Sequence, residues 1–270
     1  QQYPIDADEP LFKKEISATD LWKKIVHNAW KSAEPGVLFW DTILRESVPD
    51  CYADLGYRTV STNPCGEIPL CPYDSCRLLA INLYSYVVNP FKPDAYFDFD
   101  LFKKHVALAQ RIMDDIIDLE LEKIERIMAK IDSDPENEDV KHTESVLWQK
   151  IYKKSGQGRR TGVGITAEGD MLAALGLRYG TEEATEFAEK VHQTVALSAY
   201  RSSVEMAKER GAFEVYDSER EKNNPFINRL READPELYEE MKKYGRRNIA
   251  CLTIAPTGTT SLMTQTTSCL

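Results

Sequence analysis

Asn63-Pro64-Cys65-Gly66-Glu67-Ile68-Pro69-Leu70 sets an amide, a thiol and a carboxylate at alternate positions. In an extended backbone, residues i, i+2 and i+4 point to one side, so Asn63, Cys65 and Glu67 are expected to converge on one small volume. Gly66 lets a ligand approach the main chain between them, and Pro64, Pro69 and Pro72 preclude a helix. A carboxylate beside a thiol raises the thiol pKa and keeps it protonated. No histidine is adjacent to act as its base. Sulfur in that setting is a poor two-electron nucleophile. It suits the movement of a hydrogen atom, which leaves Glu67 free to take a proton from a substrate hydroxyl.

Cys71 and Cys76 follow closely, so three of the six cysteines fall between positions 65 and 76. The Cys-x5-Cys-x4-Cys spacing does not match zinc ribbons or knuckles and lacks an obvious fourth ligand, so no metal site is expected. Cys51, Cys71 and Cys251 are expected to be small buried hydrophobes. A disulfide scaffold would need a small secreted chain, and this one has 270 residues and no signal segment.

Further on, a strand expected over 248–254 runs into Ala255-Pro256-Thr257-Gly258-Thr259-Thr260-Ser261 and then a helix start. Backbone amides and hydroxyls at such a turn can hold an anion without any lysine. The Gly-Lys-Ser/Thr ending of a nucleotide-hydrolase loop is absent.

Between and around these loops, periodicity predicts helices over 20–32 (capped by Thr19 or Asp20), from Asp41, over 97–131, 171–177, 181–210, 226–230 and 235–244. The first carries an apolar face of Leu21, Ile25, Val26, Ala29 and Trp30; the long one carries Leu101, His105, Leu108, Ile112, Ile116, Leu119 and Ile127. Strands are expected over 37–40, 77–88 and 161–165, with 213–215 extended. The acidic run 132–139 reads as a surface excursion. Strands alternating with helices indicate an α/β architecture with a mostly parallel sheet. The formal net charge of −10, with no Lys/Arg-rich block, argues against a nucleic-acid partner. No apolar run is long enough to span a membrane.

The cysteine loop resembles the active-site finger loop of ribonucleotide reductases, whose pattern is Asn-x-Cys-x-Glu, in the form closest to the adenosylcobalamin-dependent class. The turn Pro256-Thr257-Gly258-Thr259-Thr260-Ser261 is similar to the substrate-phosphate loop of that family. Arg159-Arg160-Thr161-Gly162-Val163-Gly164, followed by a helix and Leu175-Gly176, resembles a scaffold segment between the two. The resemblance implies the central portion of the ten-stranded α/β barrel of ribonucleotide reductases and glycyl radical enzymes, with 1–268 part of one catalytic domain incomplete at both ends. It implies that Cys65 is the thiyl radical that takes the ribose 3′ hydrogen, Glu67 the base on the 3′ hydroxyl, and Asn63 a hydrogen-bonding partner of the substrate hydroxyls. Cys76 would be one half of a redox thiol pair whose partner lies outside the chain. Further implications are a ribonucleoside di- or triphosphate substrate, adenosylcobalamin as cofactor, and nucleotide effectors bound elsewhere. A thioredoxin-type reductant, a homodimer and a cytoplasmic location complete the expectation. The alternatives are another glycyl-radical-type enzyme on the same barrel and a non-catalytic nucleotide-binding relative. Past the phosphate loop the family continues through Ser-Gly-x-Glu-Pro, whereas here Ser268 is followed by Cys269-Leu270. That ending is expected to be either the start of an intein or a truncation, and the piece alone is expected to be inactive.

Overall fold

The computed structural model describes residues 2–3 and 7–268, in two units that divide between Asp41 and Thr42. In the first, β1 (Gln2–Tyr3) pairs antiparallel with β2 (Phe12–Lys13), and α1 (Ala18–Ser32) follows. Ser17 caps α1 in place of Thr19 or Asp20: its hydroxyl accepts from the Asp20 N–H at 3.2 Å. Ser17-Ala18-Thr19-Asp20 thus starts the helix as a Ser-x-x-acid box does. The apolar face of Leu21, Val26 and Trp30 forms as a stripe but stays exposed, since α1 has no buried residue. Residues 37–40 do not form the expected strand. Val37, Leu38 and Phe39 are exposed and pair with no strand among the described residues, and α2 (Trp40–Glu46) begins at Trp40.

The second unit opens with a 3-10 turn, Pro49–Leu55, and the hairpin of β3 (Ser61–Thr62) and β4 (Pro69–Leu70). β5 (Leu79–Asn82) comes next, then β6 (Val87–Val88) paired with β7 (Tyr96–Phe97). The strand expected over 77–88 is cut short. The Asn82 side chain accepts from the Tyr84 N–H at 3.1 Å and caps a 3-10 turn, Leu83–Tyr86, the local competition that favours turns at Asn.

Two long helices follow, α3 (Phe99–Ser133) and α4 (Glu138–Gly158), then β8 (Val163–Thr166) and α5 (Glu168–Ala174). The chain continues through α6 (Glu182–Arg210), α7 (Ser218–Glu221), α8 (Pro225–Ala233), α9 (Pro235–Tyr244) and α10 (Gly258–Thr264). The acidic run is largely exposed, as expected, and connects α3 to α4. Asn137 caps α4 and accepts from Val140, while Glu138 and Asp139 sit in the first turn where the helix dipole favours them. α4 then packs back on α3. The extended segment expected at 213–215 is a turn closed by the Tyr216 N–H on the Phe213 carbonyl.

β8 is the hinge of the architecture. β5 pairs with it in parallel, Leu79 opposite Val163 through Asn82 opposite Thr166. On its other edge Val163 forms a parallel bridge with Leu252, the Val163 N–H donating to Cys251 and the Thr253 N–H to Val163. The strand expected over 248–254 is thus reduced to that bridge and its flanking bonds. The order β5, β8, 252, with helices between successive members, is the parallel α/β wall the sequence predicted.

Phe102, Val106 and Met113 of α3 meet Val191, Val195 and Val204 of α6 in the main core, with Val163 and Ile165 against them. The buried face of α3 is therefore offset from the expected one. Leu108, Ile112 and Leu119 lie on the exposed side, because the helix is apolar on two faces and its partners in this chain take only one.

Two glycines let the wall close. A Cβ on Gly164 would stand 2.1 Å from the Thr253 carbonyl oxygen, and one on Gly162 would stand 2.5 Å from that of Arg77. Both obstacles are backbone, so neither can swing aside. Gly164→Ala in the full-length protein is expected to lower stability by about 1–3 kcal/mol, read as a reduced denaturant midpoint. An unchanged midpoint would mean that residues 250–254 do not seat against β8.

Candidate active site

β3 and β4 pair Ser61 with Leu70 and Thr62 with Pro69, leaving Asn63 to Ile68 as the hairpin tip. The tip is a turn, which corrects the expected alternation along an extended strand. The Gly66 N–H donates to the Asn63 carbonyl at 3.0 Å, and Gly66 holds φ +84°, where a glycine is favoured. Asn63 seals the loop at both of its backbone and side-chain levels. Its N–H donates to the Ile68 carbonyl, and its Oδ1 accepts from the Ile68 N–H at 3.0 Å. The turn leaves the Cys65 thiol exposed and tucks Glu67 in behind it. Glu67 Oε2 is sealed from solvent and has no hydrogen-bond partner among the described residues. An unpaired buried carboxylate oxygen is costly, so it marks a place where a donor is missing.

Cys76 stands beside this tip. Burial, with added charge from Glu67 and Cys65, raises its thiol above the ordinary value, while Arg160 and Arg77 oppose the rise. The turn that carries it is built by Asp74: the Asp74 N–H donates to the Cys71 carbonyl, and Oδ1 accepts from the Ser75 N–H. Arg77 anchors the next residue. It grips both oxygens of Glu120, and also donates to the Arg160 carbonyl at 2.9 Å and to Ser155 at 2.8 Å. Arg160 in turn donates from Nε to Asp74 Oδ2 at 2.6 Å.

The other thiols are of another kind. Burial, reinforced by Asp74, pushes Cys71 up to about 12, and burial pushes Cys251 up to about 12. Burial, with Glu221 adding its charge, pushes the half-buried Cys51 up to about 11.

The 256–261 turn lies past Thr253, whose hydroxyl reaches the Glu67 carbonyl at 3.5 Å. That contact ties the finger loop to the strand feeding the turn. The six residues expected to hold phosphate divide into two groups. Thr257 and Ser261 are buried: the Thr257 hydroxyl lies 2.9 Å from that of Thr166, and Ser261 Oγ donates to the Gly258 carbonyl at 2.8 Å. Pro256, Gly258, Thr259 and Thr260 are exposed. The first intrahelical bond of α10 is from the Ser261 N–H, so the amides of 258–260 are the end groups a helix leaves open. A cavity of about 280 Å³ adjoins them, walled by Ala80, Gly164, Thr253, Pro256 and Thr260.

Sequence reasoning took the segment from Arg159 to Gly164 as scaffold but missed the buried groups that hold it. Asp114, fully buried, receives Arg159, Arg247 and the Asn248 amide, and Asn248 is fixed by Gln110 and Ser203. Asp114, Asp115 and Asp118 cluster closely enough to suggest a cation. Arginines 159, 210 and 247 answer that charge instead. The available signal was the pair of doublets, Arg159-Arg160 and Arg246-Arg247, each just before a strand of the wall.

No helix among the described residues is long and apolar enough to cross a membrane. Comparison with known proteins gives a consistent picture. Over 96% of its length the chain is 34% identical to a vitamin B12-dependent ribonucleoside-diphosphate reductase of Thermoplasma acidophilum, covering 28% of that protein. A protein of the same description from Mycobacterium tuberculosis is 30% identical over 94% of the chain and 29% of its own length. The chain thus spans less than a third of these relatives. The alpha subunit of the class Id ribonucleotide reductase of Actinobacillus ureae shares the fold, with a TM-score of 0.64 at 20% identity over 93% of the chain and 38% of the subunit. Because the family model for the ribonucleotide reductase barrel domain matches residues 2–270, end to end with the wall and both loops described above, this chain belongs to the ribonucleotide reductase family.

Proposed function

We propose that the complete polypeptide reduces ribonucleoside diphosphates to deoxyribonucleotides, with Cys65, Glu67, Asn63 and Cys76 at the reacting sugar. The observation that carries this is the orphaned Glu67 Oε2, two residues from an exposed thiol and tied through Thr253 to the 256–261 turn. A ribose hydroxyl supplies the donor that this oxygen lacks. Glu67 then holds the proton taken from the 3′ hydroxyl while the Cys65 sulfur takes the 3′ hydrogen atom. Asn63 spends its Oδ1 on the loop, so its Nδ2 is the group left to meet a substrate hydroxyl. The open amides of 258–260 and the hydroxyls of Thr259 and Thr260 receive the diphosphate, with Pro256, Thr257 and Ser261 shaping the turn.

Cys76 and a partner cysteine outside this chain supply two electrons and two protons to the 2′ carbon. The hydroxyl leaves as water and the two sulfurs join as a disulfide, which a thioredoxin-type dithiol reopens. Burial and the neighbouring Glu67 and Cys65 hold Cys76 protonated near neutral pH, as a hydrogen donor must be. The five described cysteines are unpaired, in keeping with a reducing cytoplasm. Nucleotide effectors bind at regions outside this chain, and the complete polypeptide works as a homodimer.

Both relatives named above are described as B12-dependent, and the Cys65 thiol, exposed at a hairpin tip, is open to a radical generator that approaches from outside the loop. When bound, adenosylcobalamin supplies the one-electron chemistry that turns a thiol into a thiyl. An anaerobic assay of the full-length protein without any partner subunit is expected to give turnover only when adenosylcobalamin is added. Glu67→Gln in that assay should lower kcat by about 10²–10⁴-fold with little change in diphosphate affinity. Full activity of Glu67→Gln would refute its role as base.

A further inference from the structure

Arg160 is held by half measures. Its side chain is 6% exposed and its Nε donates to Asp74, yet its Nη2 is sealed from solvent with no acceptor among the described residues. Arg77, the neighbour of Cys76 in sequence, differs in that Glu120, Ser155 and the Arg160 carbonyl take up its nitrogens. A buried guanidinium nitrogen left unanswered is expensive, and it is tolerable where a negative charge comes and goes. Beyond its partner Asp74, the titratable neighbours of Arg160 are Cys71, Tyr57, Tyr200 and Cys76. Burial keeps the first three neutral, which leaves Cys76, two residues past Asp74, as the group whose charge changes in the proposed reaction. Glu67 and Cys65 face that thiol from the hairpin tip, Asp74 lies on its own turn, and Arg77 and Arg160 are the cations that act on it.

We propose that Arg160 is a positioning residue that receives the negative charge on Cys76 each time its disulfide is reopened. This rests on Cys76 being the redox thiol. In the step, the thiolate of an external dithiol attacks the partner sulfur and forms a new S–S bond with it. The bond from that sulfur to Cys76 breaks, and the electron pair stays on Cys76 Sγ. Arg160 Nη2 donates to this thiolate until water protonates it. Asp74 sets the strength of the effect, because its carboxylate offsets part of the guanidinium charge.

The test is alkylation of the reduced full-length protein with iodoacetamide over a pH series, read at Cys76 by peptide mass spectrometry. Arg160→Gln is expected to move the Cys76 midpoint up by about one unit, slowing alkylation about tenfold below it, and Arg160→Lys to restore most of the rate. Asp74→Asn keeps the turn's Oδ1 acceptor and removes the competing charge, so it is expected to move the midpoint down. A merely structural disturbance would not give opposite signs. An unmoved midpoint in folded Arg160→Gln overturns the proposal, as do shifts of the same sign in both variants. Should Arg160→Gln fail to fold, Asp74→Asn decides alone, and a midpoint that stays or rises there overturns it. Multiple-turnover activity of Cys76→Ser with a dithiol reductant separately addresses the redox role. Activity retained there would sink that role and leave the charge coupling between Arg160 and Cys76 readable.

Discussion

Cys65→Ser in the full-length enzyme is expected to lower deoxynucleotide formation by at least about 10⁴-fold while leaving diphosphate binding close to that of the parent. Serine has nearly the same shape, and the side chain sits exposed at the tip of a turn held by Asn63 and Gly66 rather than by the thiol. The fold therefore has little reason to notice the change. The chemistry does, because an O–H bond is much stronger than an S–H bond and an alkoxyl radical cannot be formed by the same hydrogen-atom exchange. Turnover measured alongside equilibrium binding of a nucleoside diphosphate separates the two effects. Substantial turnover in the variant would remove Cys65 from the reaction. Lost binding together with lost turnover would instead point to a damaged loop.

The largest effect on stability is expected at Arg246. Its side chain is fully buried, and it meets both oxygens of Glu221, at 2.5 and 2.7 Å, inside a cage of Tyr200, Phe213 and Tyr216. Tyr52 donates to the same carboxylate at 2.6 Å, and Arg246 also reaches the carbonyls of Asn248 and Ile249. This pair therefore clamps the start of the segment that carries Leu252 to the wall. Arg246→Met strands a buried carboxylate and should cost about 3–5 kcal/mol, read as a fall in the unfolding free energy of the full-length protein. Replacing Glu221 by Leu as well removes the stranded charge, so the double variant should recover much of the loss. A single-variant cost below about 1 kcal/mol would mean that water reaches the pair.

The parts of this molecule legible in its sequence were those written in local chemistry. The finger loop and the Pro-Thr-Gly-Thr turn could be located because their residues are rare together, and helices such as α6 and α9 because their periods and caps agree. Faces and endings were harder to read. Asn82 halts β5 by bonding to the Tyr84 N–H, a competition that hydrophobic runs do not display. The long helix α3 is apolar on two sides, and pattern alone cannot say which side finds α6. α4 was hidden behind a run of acids that is solvated, as expected, but whose last two members, Glu138 and Asp139, also open the helix. In the site itself, the alternation at 63, 65 and 67 suggested convergence for a reason that does not hold, since the backbone turns there. Arg77, Arg160 and Thr253 owe their roles to contacts across more than forty positions, which no window of sequence contains.

Gly162 and Gly164 have a bearing on how such a protein can diversify. With backbone oxygens standing where their side chains would begin, these two positions cannot take a larger residue with which to sculpt a binding surface. Variation within this stretch of the fold is therefore expected at the hairpin tip and the 256–260 turn rather than at these two glycines. Directed evolution toward altered nucleotides would do best to randomise those two loops and leave β8 untouched.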